Sequence, residues 1–110
     1  MITRFALFEG QVAADTKNDF RQAVQDRLVL LLRQFPGATN VRVTFGEDRD
    51  PGAPEFPLIL AISYPDTATM EAALDSPARH QSKEVTGEIV DSYFEGRIHH
   101  HVTQLHEYST

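Results

Sequence analysis

Three consecutive histidines, His99-His100-His101, form the densest group of potential chemistry in this chain. Near neutral pH a neutral imidazole can act as base, acid or metal ligand. In a strand, alternation puts His99 and His101 on one face and His100 on the other. His99 and His101 are therefore candidates for substrate contact, with a polar patch on a sheet edge or dimer seam as the plainer reading. The same i, i+2 spacing suits metal chelation, with His106 or a carboxylate as a third ligand. Nothing in the spacing supplies that third ligand and no HExxH motif occurs, so no metal site is expected. His80 falls in the first turn of a helix with Glu84 one turn later. Such a pair is either a surface contact worth about 0.2–0.5 kcal/mol or a general base at a pocket mouth oriented by a carboxylate. Tyr64 closes a strand, where its phenol could hold a carbonyl or enolate oxygen; Tyr93 lies on an apolar helix stripe and reads as core. Arg4 shares a strand face with Ile2 and Ala6. A buried arginine is rarely left unpaired, so Arg4 either meets an acid across a dimer or binds an anionic substrate. His80 and Tyr64 are thus the candidate catalytic residues, and His99, His101 and Arg4 the candidate substrate-binding ones.

Other chemistries are absent. Without cysteine there are no disulfides, thiolate nucleophiles or thiolate metal sites. There is no phosphate-binding Walker loop, no GxGxxG and no GxSxG, and no motif calls for a haem or any other cofactor. Ten Lys and Arg against sixteen Asp and Glu give a net charge of −6. With no basic cluster, nucleic acid and anionic membranes are poor partners. The opening MITRFALFEG leads straight into a strand, and the longest apolar run, Leu28 to Leu32, falls far short of the roughly 20 residues of a membrane span. A cytoplasmic protein is the expectation.

The elements that must position these residues can be read from periodicity. At 110 residues a single domain spanning 1–110 is expected. Ile2 to Phe8 is a strand with apolar residues on both faces, which implies cover on both sides. Gly10 to Asp15 reads as a loop. Asp15 or Thr16 can cap a helix running to about Phe35, with Phe20, Val24, Leu28, Leu31 and Phe35 on one face; Pro36-Gly37 stops it. Asn40 to Phe45 alternates as a half-buried strand. Gly46 to Pro57 is a long loop, read as a hairpin connection or as a lid over a pocket. Leu58 to Tyr64 is a strand, ended by Pro65. Asp66 caps a short helix to about Leu74, and Ser76, with Pro77 after it, caps another to about Phe94. Gly96 then releases the chain into a last strand, Arg97 to about His106. The order β-α-β-β-α-β is the α+β, ferredoxin-like arrangement, a four-stranded antiparallel sheet with helices on one face. The uncovered face of such a sheet is expected to meet a second subunit.

The strand ending in Tyr64-Pro65-Asp66, the short helix closing in Ala-Leu and the run Asp75-Ser76-Pro77-Ala78-Arg79 resemble the dimeric α+β-barrel superfamily, and within it the EthD-like family. Phe20-Arg21 and Pro36-Gly37 fit the same pattern, so the resemblance extends over nearly the whole chain. It implies two sheets packed into a barrel across a dimer axis, and a pocket in each subunit between sheet and helices. EthD-like proteins often carry His-Ala-Pro in the middle of the first helix, where this chain has Leu28, Val29 and Leu30. A function resting on that histidine does not transfer.

Three functions follow for comparison. The first is an EthD-like small-molecule-binding protein, extending to a cofactor-free enzyme on an aromatic or polyketide-like apolar compound. The second is a non-catalytic accessory or stress-related dimeric binding protein. The third is metal binding through the last-strand histidines. The superfamily hosts many chemistries, and fold alone does not choose among them.

Overall fold

The computed structural model describes residues 1–110. Strand β1 (Ile2–Val12) leads through a single 3-10 turn, Ala14–Thr16, into the first helix. That helix, α1, is α-helical over Lys17–Ala23, widens to a π-helix over Val24–Leu28 and returns to α-helix over Val29–Leu32. Strands β2 (Asn40–Phe45) and β3 (Leu58–Tyr64) follow, then helices α2 (Thr67–Leu74) and α3 (Pro77–Tyr93) and strand β4 (Phe94–Gln104). The four strands form one antiparallel sheet in the order β2-β3-β1-β4. This is the ferredoxin-like α+β fold expected from the sequence.

The local signals act where they were read. The Asp66 carboxylate accepts from the Thr69 N–H at 2.8 Å, and the Ser76 hydroxyl accepts from Arg79 N–H at 3.3 Å, with Pro77 in the first turn. The first helix is different. No side chain caps it; the 3-10 turn leads the chain in instead, and the Thr16 hydroxyl donates to the Ala13 carbonyl.

The edge pairing also differs from expectation. β1 runs on to Val12 because β4 begins at Phe94 and pairs with it along its whole length, from Ile2 opposite Gln104 to Val12 opposite Phe94. Gly96, expected to release the chain, lies inside β4 opposite Gly10. The two backbones approach so closely there that a Cβ on Gly96 would stand 2.1 Å from the Glu9 carbonyl oxygen, and one on Gly10 would stand 2.0 Å from that of Glu95.

Residues that pair directly point to one side of the sheet. The register therefore puts Arg4, Ala6 and Phe8, Leu60, Ile62 and Tyr64, and Ile98 and His100 on the helix face. There Phe8, Leu58 and Leu60 join Phe20, Val24, Leu28, Leu32 and Ile89 in one core. Phe20 and Tyr93 meet edge to face at 6.4 Å, which fixes α1 against α3. The opposite face carries Phe5, Leu7 and Ile59, all half-buried, and Ala61. Near one end of this face the Thr3 and Ser63 hydroxyls share a buried hydrogen bond of 2.8 Å.

Candidate functional site

Sheet and helices do not pack shut. Between them lies a cavity of about 340 Å³, at the lower end of the roughly 300–1,000 Å³ usual for small-molecule sites. Ala6, Leu60 and Ile98 form an apolar floor, and Leu32 at the end of α1 with Phe35 in the turn after it form one wall. The roof is a stripe of α3, namely Arg79, Lys83, Thr86, Gly87, Val90 and Asp91, whose spacings of three and four put them on one helix face. Gly87 leaves this roof thin: a Cβ built there meets nothing within 4 Å.

Polar groups converge at one end. Arg4 on β1, Tyr64 at the end of β3, Arg79 and Lys83 near the start of α3, and His100 on β4 all line it. The β1–β4 register brings His100 there, directly opposite Ala6. None of the chain's ion pairs involves Arg4, Arg79 or Lys83. Arg79 donates to the Leu74 carbonyl at 3.3 Å, which steadies its guanidinium. Asp91 is the one carboxylate on the wall, and it lies twelve residues along α3 from Arg79, about 18 Å at 1.5 Å per residue.

Burial first, and then this excess of positive charge, acts on the titrating groups. Burial lowers the pKa of Arg4, and Arg79 lowers it further. Burial raises the Tyr64 phenol above its ordinary 10.0, against the opposing pull of Arg4 and Arg79. His100, exposed at the rim of the cavity, is held below 6.5 first by its partial burial, then by Arg4, Arg79, Lys83 and His99. At neutral pH the end of the cavity thus presents a neutral imidazole, a protonated phenol and three cations. Tyr64 is 1% exposed, yet every fully buried side-chain polar atom in the chain has a partner. Its ring is therefore packed away, and only the edge of its hydroxyl reaches the cavity wall.

The structure separates the candidates drawn from the sequence. Tyr64 and Arg4 lie together at the cavity. His80 does not join them: it is exposed, with Glu84 also exposed beside it, because the face of α3 that meets the cavity carries its neighbour Arg79. His99 and His101 lie on the opposite face of the sheet. There His99 meets the Glu9 carboxylate at 2.8 Å, and His101 is exposed. The middle histidine, His100, is the one that reaches the cavity. No three potential metal ligands converge anywhere in the chain. Reading the sequence alone missed Arg79, Lys83 and His100 as site residues. The stripe Arg79, Lys83, Thr86, Gly87, Val90, Asp91 was visible as a helical spacing, but it is polar enough to pass for a solvated face.

A second, larger cleft of about 620 Å³ opens under the loop from Gly46 to Pro57, beside Phe20 and Ile59. That loop is tied down where Gly10 N–H donates to the Glu55 carbonyl at 3.0 Å. It is a hairpin connection that walls this cleft and does not cover the cavity between sheet and helices. Arg21 spans the cleft, lying 5.1 Å from the Phe45 ring and donating to the Gly46 carbonyl and Glu47, so its charge is already satisfied. The smaller cavity joins an apolar floor to unpaired cations and shifted groups, the combination that makes it the candidate ligand site.

Neither a protein-family model nor a curated protein matches the sequence. Solved structures do match its fold. An EthD family protein from Bacillus halodurans superposes with a TM-score of 0.72 at 19% identity, over 96% of this chain and 99% of that one. A dimeric ferredoxin-like protein of unknown function from Jannaschia gives 0.65 at 18% identity, over 94% and 98%. The cofactor-independent oxygenase SnoaB from Streptomyces nogalater gives 0.65 at 13% identity, over 97% and 94%. The chain therefore has the ferredoxin-like protomer fold found in EthD-like and antibiotic-biosynthesis-monooxygenase proteins. No helix in it is long and apolar enough to cross a membrane.

Proposed function

We propose that this chain is an EthD-like protein that binds an aromatic or polyketide-like apolar compound in the cavity between sheet and helices, and that it moves a proton on that compound without a cofactor. The observation that carries this reading is the convergence of a neutral imidazole, His100, and a protonated phenol, Tyr64, at the cationic end of an apolar cavity. His100 takes the basic role first considered for His80. It would accept a proton from a carbon next to a carbonyl, and the enolate oxygen so formed would be held by the Tyr64 hydroxyl and the neighbouring guanidinium groups. The likeness to a cofactor-independent oxygenase fits this chemistry.

A suitable probe is 2-tetralone, an apolar aromatic ketone with acidic α-protons. Incubated with the protein in D2O, it should exchange those protons faster than with buffer alone, as read by NMR, and His100→Ala should remove the acceleration while 2-tetralone still binds. Binding without any acceleration would reject the catalytic part. It would leave the second reading, a non-catalytic accessory binding protein. One observation favours that alternative: where EthD-like proteins often carry a histidine, Leu28 is 1% exposed and packed in the core.

The open face of the sheet supports a homodimer. Phe5, Leu7, Ile59 and Ala61 form an apolar centre there, rimmed by the His99–Glu9 contact and His101. Two of the proteins that share the fold are described as dimeric. A dimer by analytical ultracentrifugation that Leu7→Lys converts to monomer is the expected result; a monomeric native protein would contradict it.

A further inference from the structure

The polar end of the cavity carries more positive charge than an uncharged ketone needs. Arg4, Arg79 and Lys83 have no acidic partner in the chain, and Asp91 stands about 18 Å along α3 from Arg79. A second copy docked on the open face would not supply one, because that face lies on the other side of the sheet from Arg4. Arg4 is half-buried near the start of β1, a central strand of the sheet, where an unbalanced charge is costly to keep. These cations are arranged for a negative charge that arrives with the ligand.

Given that the cavity is a ligand site, we propose that its ligand is an apolar ring compound bearing a carboxylate, which sits between Arg4 and Arg79 while the rings lie over Ala6, Leu60 and Ile98. The planar guanidinium fork matches a carboxylate edge on. The Tyr64 hydroxyl supplies a further donor, and Lys83 sits at the exposed side of the same end. Facing His100 are Arg4 from β1, Tyr64 from β3, and Arg79 and Lys83 from α3, while His99, its neighbour in the strand, acts on it from the opposite face. An arriving carboxylate offsets the cations and raises the proton affinity of His100 toward its ordinary value, which leaves it neutral at neutral pH but a stronger base once the ligand is bound.

The test compares 2-naphthoate with 2-naphthamide, a neutral compound of nearly the same shape, by isothermal titration calorimetry at pH 6.5. Naphthoate should bind at least about tenfold more tightly, the size expected for charge-assisted hydrogen bonds. Arg4→Met and, separately, Lys83→Met should each weaken naphthoate binding more than naphthamide binding and so reduce that preference. Lys83 is exposed, so its variant should fold even if Arg4→Met does not. Repeating the naphthoate titration in buffers of different ionisation enthalpy should show proton uptake, which His100→Gln should remove. Equal affinity for the two probes, or a preference that survives both variants, would overturn the carboxylate assignment while leaving the cavity as a ligand site. Silence toward both probes would overturn the ligand site itself and this inference with it.

Discussion

Gly87 gives the sharpest prediction, because stability and binding should move in opposite directions. It lies in the middle of α3 and on the cavity roof. Glycine inside a helix is about 0.8–1.0 kcal/mol less favourable than alanine, and leucine is nearly as good a helix former as alanine. That gain is normally lost where a new side chain collides with its surroundings, but a Cβ at Gly87 meets nothing within 4 Å. Gly87→Ala should therefore stabilise the protein by roughly 0.5–1 kcal/mol. Gly87→Leu should gain a similar amount and also place its branched end in the cavity, leaning toward Lys83 as helical side chains lean toward the N-terminus. Urea unfolding, followed by circular dichroism, should give a higher midpoint for both variants with an unchanged slope. Titration with 2-tetralone should show binding preserved in Gly87→Ala and weakened at least about tenfold in Gly87→Leu, the effect of about 1.4 kcal/mol. A destabilised Gly87→Ala would mean that the roof is packed tightly. Unimpaired binding in Gly87→Leu would mean that the ligand sits elsewhere.

Tyr64→Phe removes only a hydroxyl at the cavity wall. It should change stability by less than about 1 kcal/mol and weaken 2-tetralone binding about two- to twelvefold, the range for one hydrogen bond of about 0.5–1.5 kcal/mol. A loss of stability several times larger would show that the hydroxyl holds the fold. Gly96→Ala should cost at least about 2–3 kcal/mol or prevent folding, since φ is +154° and the added Cβ meets backbone at 2.1 Å; a stable variant by urea unfolding would refute the tight β1–β4 crossing. Acidification should destabilise the protein through His100. Its folded pKa lies below the ordinary 6.5, so the folded state binds fewer protons than the unfolded one as pH falls through 6.5. The thermal midpoint should drop between pH 7.5 and 5, and His100→Gln should flatten the drop; identical profiles would contradict the shift.

Much of the fold was legible because its signals are local. Asp66 and Ser76 start helices through their own side chains, and the run Leu58 to Tyr64 forms the strand its composition suggests. Features that depend on distant contacts were not. The length of β1 follows from Gly10 meeting Gly96, a pairing 86 residues apart that neither glycine announces. Of the cavity proposed as the site, part of the lining was legible. Arg4 could be placed on a face from strand alternation, and Tyr64 from the end of its strand. Alternation also separated His100 from His99 and His101, but only the register of β4 on β1 shows that His100 takes the helix side. His80 was misplaced by a rotation of one residue on α3. The helix turns Arg79 inward because packing of Ile89 against the core sets its roll, and a cap motif carries no information about that roll.

The central claim is that the cavity between sheet and helices is where this protein meets its ligand. The direct measurement is a two-dimensional 15N–1H NMR titration of the assigned protein with 2-tetralone. Saturable shifts concentrated at Ala6, Leu60, Gly87 and His100 are the predicted result. Shifts concentrated instead at Phe20, Glu47 and Ile59, along the cleft under the Gly46–Pro57 loop, or no saturable shifts at all, would contradict it.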